Sequence, residues 1–451
     1  MKRGLSGVSE YFLIPGFVCL AVFWRAPFVW FRTDDFAWLG LPLEVHGFRS
    51  LMRVLFLPEA QGTVRVLSER VFFLVFSWIF GVHAAPFRWF GLVTWIGALG
   101  LAAALGSRIA GSRVAGIVAA IAWTTSFAVA VPMMWSAAYN QVLCAFLLLA
   151  ALYARARWLE SGGTRWRILE WAAYLAAFGA IELAVMYPAA ALLYTWLIAK
   201  RTDRAAWALL IPAATFGVLQ SFVIPHPAEG AYRTAVDGRL PSTLLTYTLN
   251  AFGPGGYPGR WILAAALIAF VIWKIVRKDW RVLFPVAWFL LFLAPVLPLP
   301  DHILTFFLTI PLIGIAWIAG WAVDDAFRRG SYARIAAIAL IAVFLAGSLP
   351  QINTETSDWL RRTSRMRLLF RGAQSEAAAH PGAALIFKDV DKELYESGFE
   401  DEPFRLFGVT RVYLAPGSGI GNAKFHISQD DAARLIASGE AVIVEAPSTA
   451  Q

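Results

Sequence analysis

Long apolar stretches separated by short polar connections dominate the chain between residues 11 and 349. Because a helix needs roughly 20 apolar residues to cross the hydrocarbon core of a bilayer, these stretches predict about eleven transmembrane helices. The apolar runs are continuous and do not alternate with polar residues, which favours helices over the strands of a barrel. The predicted spans lie near residues 11–31, 85–106, 113–132, 137–154, 168–182, 183–199, 205–224, 260–277, 282–299, 303–323 and 332–349.

Two further apolar segments lie in the first long connection, and charged residues interrupt both of them. Residues 43–57 and 64–80 have the mixed pattern of helices that lie along a membrane surface. We therefore predict two interfacial helices between the first and the second span.

The pattern changes after Pro350, where polar residues become frequent enough for a water-soluble domain. The predicted fold class is an all-α polytopic membrane protein with interfacial helices in the first outer loop and a small C-terminal α/β domain. The predicted domains are a transmembrane domain at 1–350 and an extracytoplasmic domain at 351–451. Within the second domain, the periodicity predicts helices at 357–379 and 430–438 and short strands at 383–387, 411–414 and 441–445.

The composition agrees with a membrane protein, because 59% of the residues are hydrophobic and only 15% are charged. Soluble domains carry roughly 25% charged residues. The formal net charge of +9 would suit a nucleic-acid partner, but the Lys and Arg residues cluster in alternate short loops, as membrane orientation requires. We therefore expect no nucleic-acid partner. Cys19 and Cys144 both lie within apolar runs, so we predict no disulfide.

Basic residues also mark one side of the predicted membrane domain. The loops at 155–167, 200–204, 274–281 and 328–334 are rich in Lys and Arg, whereas the short loops on the other side carry none. By the positive-inside rule, the N-terminus is cytoplasmic and the long loops and the C-terminal domain are extracytoplasmic. We expect a multi-pass protein of a bacterial inner, or plasma, membrane.

Two adjacent acids, Asp34 and Asp35, follow the first span on the predicted outer side. Apolar residues come next, so we expect the pair to lie in the membrane interface, where desolvation raises a carboxyl pKa and favours a general base. Adjacent carboxylates repel, so one should face a cavity while Arg32, a backbone amide or an outer-loop cation holds the other. Solvation by water alone is the alternative for a helix end. Asp324 and Asp325 form the same dipeptide, but topology places them on the cytoplasmic side as a solvated face.

Arg65, at the start of the second interfacial segment, is the candidate anion binder. A guanidinium pairs well with phosphate, and an interfacial helix would hold it at headgroup depth. Alternatively, Arg65 snorkels and only anchors that helix in the membrane. Arg70 is the second candidate for binding a lipid phosphate.

Three further residues are candidates for lining a polar cavity on the outer side. Glu182 is an acid inside apolar sequence, which is costly and points either to function or to an interface between two spans. Asn140 opens the fourth span and would either line the cavity or cap the helix. His302 lies in a turn, where a structural or solvated role is the commoner one.

Several kinds of chemistry have no motif in the sequence. We find no metal-ligand cluster, no phosphate-cradling glycine loop and no nucleophile elbow, so soluble nucleotide chemistry is not expected. We predict no metal site and no required cofactor, and the sequence leaves open whether a divalent metal assists.

The motifs resemble those of the glycosyltransferase C superfamily, in particular the protein O-mannosyltransferases and the lipid A aminoarabinose transferases. The similar features are Asp34-Asp35-Phe36 after the first span and the segment at 65–81, which begins with a basic residue and ends in Phe-Gly. Ile181-Glu182, followed by Tyr187-Pro188, and the Pro-rich turn and span at 297–314 resemble later parts of the family pattern.

The resemblance implies an enzyme that takes a sugar from a polyprenyl-phosphate carrier and transfers it, with inversion, to an acceptor hydroxyl. It implies that Asp34 is the general base and that Arg65 contacts the lipid phosphate. The partners would be the lipid-linked sugar donor, an acceptor that is a protein, a lipid or a glycan, and the lipid bilayer.

Two other classes of function remain open from the sequence. A transporter or flippase of lipid-linked sugar would use the same cavity and a phosphate-binding arginine, but it would not need Asp34. We find no inverted repeat, which counts mildly against a transporter. A non-catalytic membrane assembly protein would use residues 351–451 to bind partners.

Overall fold

The computed structural model describes residues 6–58, 64–223 and 233–448. Helices form most of it, and a small parallel sheet lies near the C-terminus, as the sequence predicts. The helices of the first half are α1 Ser6–Val22, α2 Asp34–Leu39, α3 Phe48–Phe56, α4 Phe72–Phe80, α5 Ala84–Ala110, α6 Arg113–Thr124, α7 Ala130–Met134, α8 Tyr139–Ser161, α9 Thr164–Phe178, α10 Tyr187–Leu193 and α11 Leu210–Val223. Those that follow are α12 Leu240–Asn250, α13 Gly259–Val276, α14 Leu283–Leu293, α15 Leu312–Arg329, α16 Ser331–Ala379, α17 Lys392–Leu394 and α18 Gln429–Ala437.

Fewer helices qualify as membrane spans than the hydropathy pattern predicts. Within the described residues, four helices, α5, α8, α13 and α16, are long and apolar enough to cross a membrane. Helix α6 and the short helix α7 would make a fifth span, bent by 60°. Each of the predicted segments contains a helix, but breaks shorten most of them, so the count of about eleven is not confirmed. The segment Glu182–Ile198, for example, passes from a 3-10 turn through α10 into the π-helical turn Tyr194–Ile198.

The connection between α1 and α5, which is the predicted first outer loop, contains both predicted interfacial segments as helices. The first is α3, which is shorter than predicted because a 3-10 turn, Leu41–Glu44, precedes it. The second starts as a π-helical turn, Val66–Val71, and continues directly into α4. Gly81 ends α4 with a φ of 55°, a backbone conformation that glycine adopts without strain.

The centre of the membrane part is a set of helices whose backbones come into close contact. Helix α5 packs against α6 and α8, and α6 packs against α15. A Cβ atom at Gly116 would meet the carbonyl oxygen of Ala103, and one at Gly320 would meet that of Ala115. Small residues therefore permit the close helix packing that is common inside membranes.

Helix α16 runs through the predicted domain boundary at residue 350. It continues for 49 residues with Pro350 inside it, so the helix predicted at 357–379 is the extension of the last predicted span. The proline removes one backbone donor but does not end the helix.

The C-terminal sheet lies beyond this helix. Its strands are β1 Ala384–Lys388, β2 Val412–Leu414 and β3 Ala441–Glu445, all parallel, in the order β2-β1-β3. Each strand begins within one residue of its predicted start. Ser428 caps α18 by accepting a hydrogen bond from the Asp431 backbone N–H at 3.1 Å.

The C-terminal domain touches the first outer loop directly. The backbone N–H of Thr33 donates to the carbonyl oxygen of Ser397 at 3.2 Å. The loop that follows α1 and the residues that follow α16 therefore lie directly against each other.

Candidate active site

The two candidate acids form the first turn of α2, directly after an unusual backbone conformation. Thr33 has a φ of 49° and a ψ of −129°, a combination that a β-branched residue rarely adopts. Asp34 and Asp35 then begin the helix, where the positive end of the helix dipole favours negative charge. The chain thus turns sharply at Thr33 and presents two consecutive carboxylates in different directions.

The carboxylate of Asp35 is completely buried and held on several sides. Its Oδ1 accepts the backbone N–H of Ala137 at 2.7 Å, and its Oδ2 accepts that of Arg32 at 3.1 Å. The guanidinium of Arg88, on α5, lies 3.6 Å from Oδ2. Burial raises the pKa of Asp35 to about 7, although Arg88 and the two backbone amides oppose the rise. Asp35 therefore ties the outer loop to α5 and to the segment before α8.

Asp34, in contrast, is exposed. Partial desolvation raises the pKa of its carboxyl above the ordinary value, while its backbone hydrogen bond and the positive charge of Arg65 act in the opposite direction. A carboxylate that is accessible and harder to ionise than usual has the properties of a general base.

A second carboxylate near Asp34 comes from the C-terminal domain. Burial, and then the negative charge of Asp34, raise the pKa of Asp401 to about 6. Asp401 gives no signal in the sequence, because an acid in a polar stretch such as Glu400-Asp401-Glu402 is indistinguishable from one on a solvated surface.

Arg65 and Glu182 were separate candidates in the sequence, and the structure brings them together. The Nε and Nη2 atoms of Arg65 donate to the carboxylate of Glu182 at 3.0 and 3.1 Å, and Nη1 donates to Glu69 at 2.8 Å. Burial opposes the positive charge, but the two carboxylates outweigh it and hold the pKa of Arg65 above its ordinary value. Glu69 was missed, although its spacing of four residues from Arg65 is that of a helical ion pair.

Asn140 joins the same cluster from the first turn of α8. It is buried, and its Nδ2 donates to the Glu69 carboxylate at 3.4 Å. Its side chain thus contacts the cluster of Arg65, Glu69 and Glu182, and Ala138 is the residue at the cap position of α8.

The remaining candidates have other surroundings. Arg70 is buried with its guanidinium 4.7 Å from the ring centroid of Trp38, and its Nη2 donates to the Leu57 carbonyl at 3.4 Å. His302 packs its ring 5.9 Å from that of Phe307, and burial lowers its pKa. These contacts lie within the outer loop and the late turn, and they do not include the acid pair.

Metal ions in proteins are bound by groupings of side chains that lie close together. Across residues 6–58, 64–223 and 233–448, no three His, Cys, Asp or Glu side chains are grouped so that they could hold a metal ion. Cys19 and Cys144 are buried and free.

Comparison with known proteins adds a similarity of fold. No protein-family model and no curated protein matches the sequence. The structure is similar to the crystal structure of the Archaeoglobus fulgidus oligosaccharyltransferase in its apo form, with a TM-score of 0.52 and 9% sequence identity. The similarity covers 96% of this chain and 69% of that chain. The likeness shows that this chain shares its fold with that oligosaccharyltransferase, a glycosyltransferase of the C type, which agrees with the resemblance found in the sequence motifs.

Proposed function

We propose that this protein is a membrane glycosyltransferase that moves a sugar from a polyprenyl-phosphate carrier to an acceptor hydroxyl on the extracytoplasmic side. The observation that carries the proposal is the contrast between the two acids of α2. Asp35 is buried and fixed by Ala137, Arg32 and Arg88, whereas its neighbour Asp34 is exposed. In this proposal, Asp35 stabilises the conformation of the loop, and Asp34 is accessible to a substrate.

In the proposed reaction, Asp34 acts on the acceptor. Its carboxylate takes the proton of the acceptor hydroxyl as the oxygen attacks the anomeric carbon of the donor sugar. The bond between that carbon and the phosphate oxygen breaks on the opposite face, so the configuration inverts. The raised pKa of Asp34 suits this step, because a base works best when its pKa approaches the operating pH.

Negative charge accumulates on the departing polyprenyl phosphate, and in this proposal the guanidinium of Arg65 stabilises it. A guanidinium has five N–H donors, and Glu182 and Glu69 take those on Nε, Nη2 and Nη1. Contacts within the described residues therefore occupy three of the five N–H groups. One N–H on each terminal nitrogen, Nη1 and Nη2, is left to donate to phosphate oxygens. The two carboxylates thus fix the orientation of the guanidinium group before the donor binds, which lowers the entropic cost of binding.

The experiment that tests the proposal follows the chemistry of the donor. Purified protein in detergent would be incubated with a panel of labelled polyprenyl-phosphate hexoses and with membrane extract as the source of acceptor. Release of free polyprenyl phosphate together with label in the acceptor fraction is the expected result.

The same protein in sealed vesicles distinguishes the alternatives. Movement of an intact lipid-linked sugar between leaflets, with no cleavage of the sugar–phosphate bond, would favour a flippase. Neither cleavage nor movement with any member of the panel would favour a non-catalytic role.

A further inference from the structure

The C-terminal domain and the helix that leads to it make hydrogen bonds on both sides of Asp34. Before it, the backbone N–H of Trp30 donates to Oγ1 of Thr363 at 3.2 Å, and that of Thr33 donates to the Ser397 carbonyl at 3.2 Å. After it, Nη2 of Arg405 donates to the Ala37 carbonyl at 3.3 Å.

Close packing accompanies these hydrogen bonds. A Cβ atom at Gly398 would lie 2.6 Å from Cδ2 of Phe36 and 3.1 Å from the backbone nitrogen of Thr33. A Cβ atom at Gly40 would lie 2.6 Å from Cζ of Arg405. Gly398 therefore lets the domain approach the loop more closely than a side chain would permit, and Gly40 leaves room for the guanidinium of Arg405.

The backbone of the loop needs such support. The positive φ of Thr33 is a conformation that a free loop would leave, because it is unfavourable for a β-branched residue. In this conformation the Thr33 N–H points at Ser397, and Asp35 accepts the preceding N–H, that of Arg32. The direction in which α2 starts, and with it the position of Asp34, depends on this turn.

We propose that the C-terminal domain is a positioning element of the active site, in which Ser397, Gly398 and Arg405 hold residues 33–40 so that Asp34 faces the reacting atoms. The proposal rests on the proposed function of Asp34. These residues contact the loop, so they act through Asp34 and do not themselves react.

Gly40→Ala tests the contact between Arg405 and the Ala37 carbonyl without straining the backbone. Gly40 has a φ of −73° and a ψ of −17°, which alanine adopts readily. The three atoms nearest to the added methyl group in Gly40→Ala all belong to the flexible end of the Arg405 side chain, so the substitution would displace this side chain from the Ala37 carbonyl. Arg405→Ala removes the same hydrogen bond from the other partner. Gly372→Ala is the matched control, because Gly372 lies within α16 and has no atom within 4 Å of an added Cβ.

The first readout needs no substrate. Deuterium exchange of the full-length protein in detergent would follow the backbone amides of residues 30–40 by mass spectrometry. We expect exchange about five- to tenfold faster in Gly40→Ala and Arg405→Ala, because each loses one hydrogen bond to the loop, and no change in Gly372→Ala. The double variant Gly40→Ala/Arg405→Ala should match Arg405→Ala, since both changes remove one shared contact. Unchanged exchange in both single variants would overturn the proposal.

The second readout is turnover of a polyprenyl-phosphate hexose. We expect kcat to fall about ten- to hundredfold in Gly40→Ala and Arg405→Ala, with the donor KM within twofold, because misplacing a catalytic group by about 1 Å can cost that much. Arg405→Lys should recover part of the loss, since an ammonium can still donate to the Ala37 carbonyl.

The two readouts separate the two proposals. Normal kcat in these variants, with Asp34→Asn inactive, would overturn the positioning role and leave the proposed function intact. If the wild-type protein transfers no sugar, the proposed function fails, and the exchange experiment alone decides whether the domain holds the loop.

Discussion

Arg65 and Glu182 lie 117 positions apart in the chain and form a bidentate ion pair, with Nε–Oε1 and Nη2–Oε2 distances of 3.0 and 3.1 Å. The pair joins the start of the second interfacial segment to a break between two predicted spans. It explains how Glu182 is tolerated within apolar sequence, because a paired acid avoids most of the cost of an isolated one. With Glu69 included, the cluster carries one cation and two carboxylates.

Substitutions of Arg65 should separate donor binding from the support of the loop. Arg65→Ala should weaken binding of a polyprenyl-phosphate hexose by about tenfold to hundredfold, since it removes charged hydrogen bonds to phosphate. Arg65→Lys should have a smaller effect, because it keeps the charge but loses the planar fork. Equilibrium binding with a fluorescent donor would measure both.

The control for this prediction is Arg65→Ala/Glu182→Ala, which removes both partners of the ion pair and leaves Glu69, with its hydrogen bond from Asn140, as the one acid of the cluster. Its donor affinity should stay as low as that of Arg65→Ala. Wild-type affinity in the double variant would mean that Arg65 serves only to pair with Glu182.

Asp35→Asn should affect stability more than chemistry. An asparagine keeps one acceptor oxygen for the amides of Ala137 and Arg32 and places an NH₂ group near the guanidinium of Arg88. We expect a loss of about 1–3 kcal/mol in the free energy of unfolding, the usual cost of an unsatisfied buried group. Denaturation in detergent would measure it, and kcat of the folded fraction should change less than tenfold. A stable Asp35→Asn protein without turnover would reverse the roles of the two acids.

The raised pKa of Asp35 also predicts how the free energy of unfolding depends on pH. Burial raises the pKa of Asp35 from 3.8 to about 7, so its contribution to stability is complete below 3.8 and is lost as the pH rises through about 7. The wild-type protein should therefore lose stability over that interval, and Asp35→Asn should lose less. An equal slope in both proteins would show that Asp35 is not the titrating group.

Asp401→Asn should move the pH profile of turnover. The charges that face Asp34 are Arg65, the adjacent Asp35 and Asp401. Removing the negative charge of Asp401 makes Asp34 easier to ionise, so the acid limb of the rate profile should shift to lower pH. Asp430→Asn, on an exposed acid of α18 in the same domain, should leave the profile unchanged. A shift to higher pH in Asp401→Asn would contradict the predicted repulsion between the two acids.

The proposed orientation can be tested with single cysteines. An impermeant thiol reagent added to intact cells should label cysteines at Arg49 and Lys392, which are exposed in the outer loop and the C-terminal domain. A cysteine at the exposed Lys278 should react only after the membrane is opened. Cys19 and Cys144 are buried and should add little background. Labelling of Lys278→Cys alone in intact cells would invert the proposed topology.

The helical class and the short C-terminal strands could be predicted from the sequence, because apolar runs and local periodicity are local properties. The number of spans could not, since hydropathy does not register a break such as the π-helical turn Tyr194–Ile198. Likewise, Pro350 predicted a boundary, but α16 continues through it.

In the candidate site, the individual residues Asp34, Arg65 and Glu182 could be found from the sequence because each is a charge in apolar surroundings. Their pairing could not, because the Arg65–Glu182 contact joins distant segments. Arg405 carried no signal at all, since a charge is ordinary in a polar domain.

The central claim is that Asp34 is the general base, and the rate of sugar transfer by Asp34→Asn tests it most directly. The matched control is Asp324→Asn, because Asp324 also stands first in an Asp-Asp dipeptide. Its carboxylate pairs with the guanidinium of Arg328 at 3.0 Å. We predict that turnover of a polyprenyl-phosphate hexose falls by about 10²–10⁴-fold in Asp34→Asn, while donor binding and folding persist and the control keeps its activity. Transfer at the wild-type rate by a folded Asp34→Asn protein would contradict the account.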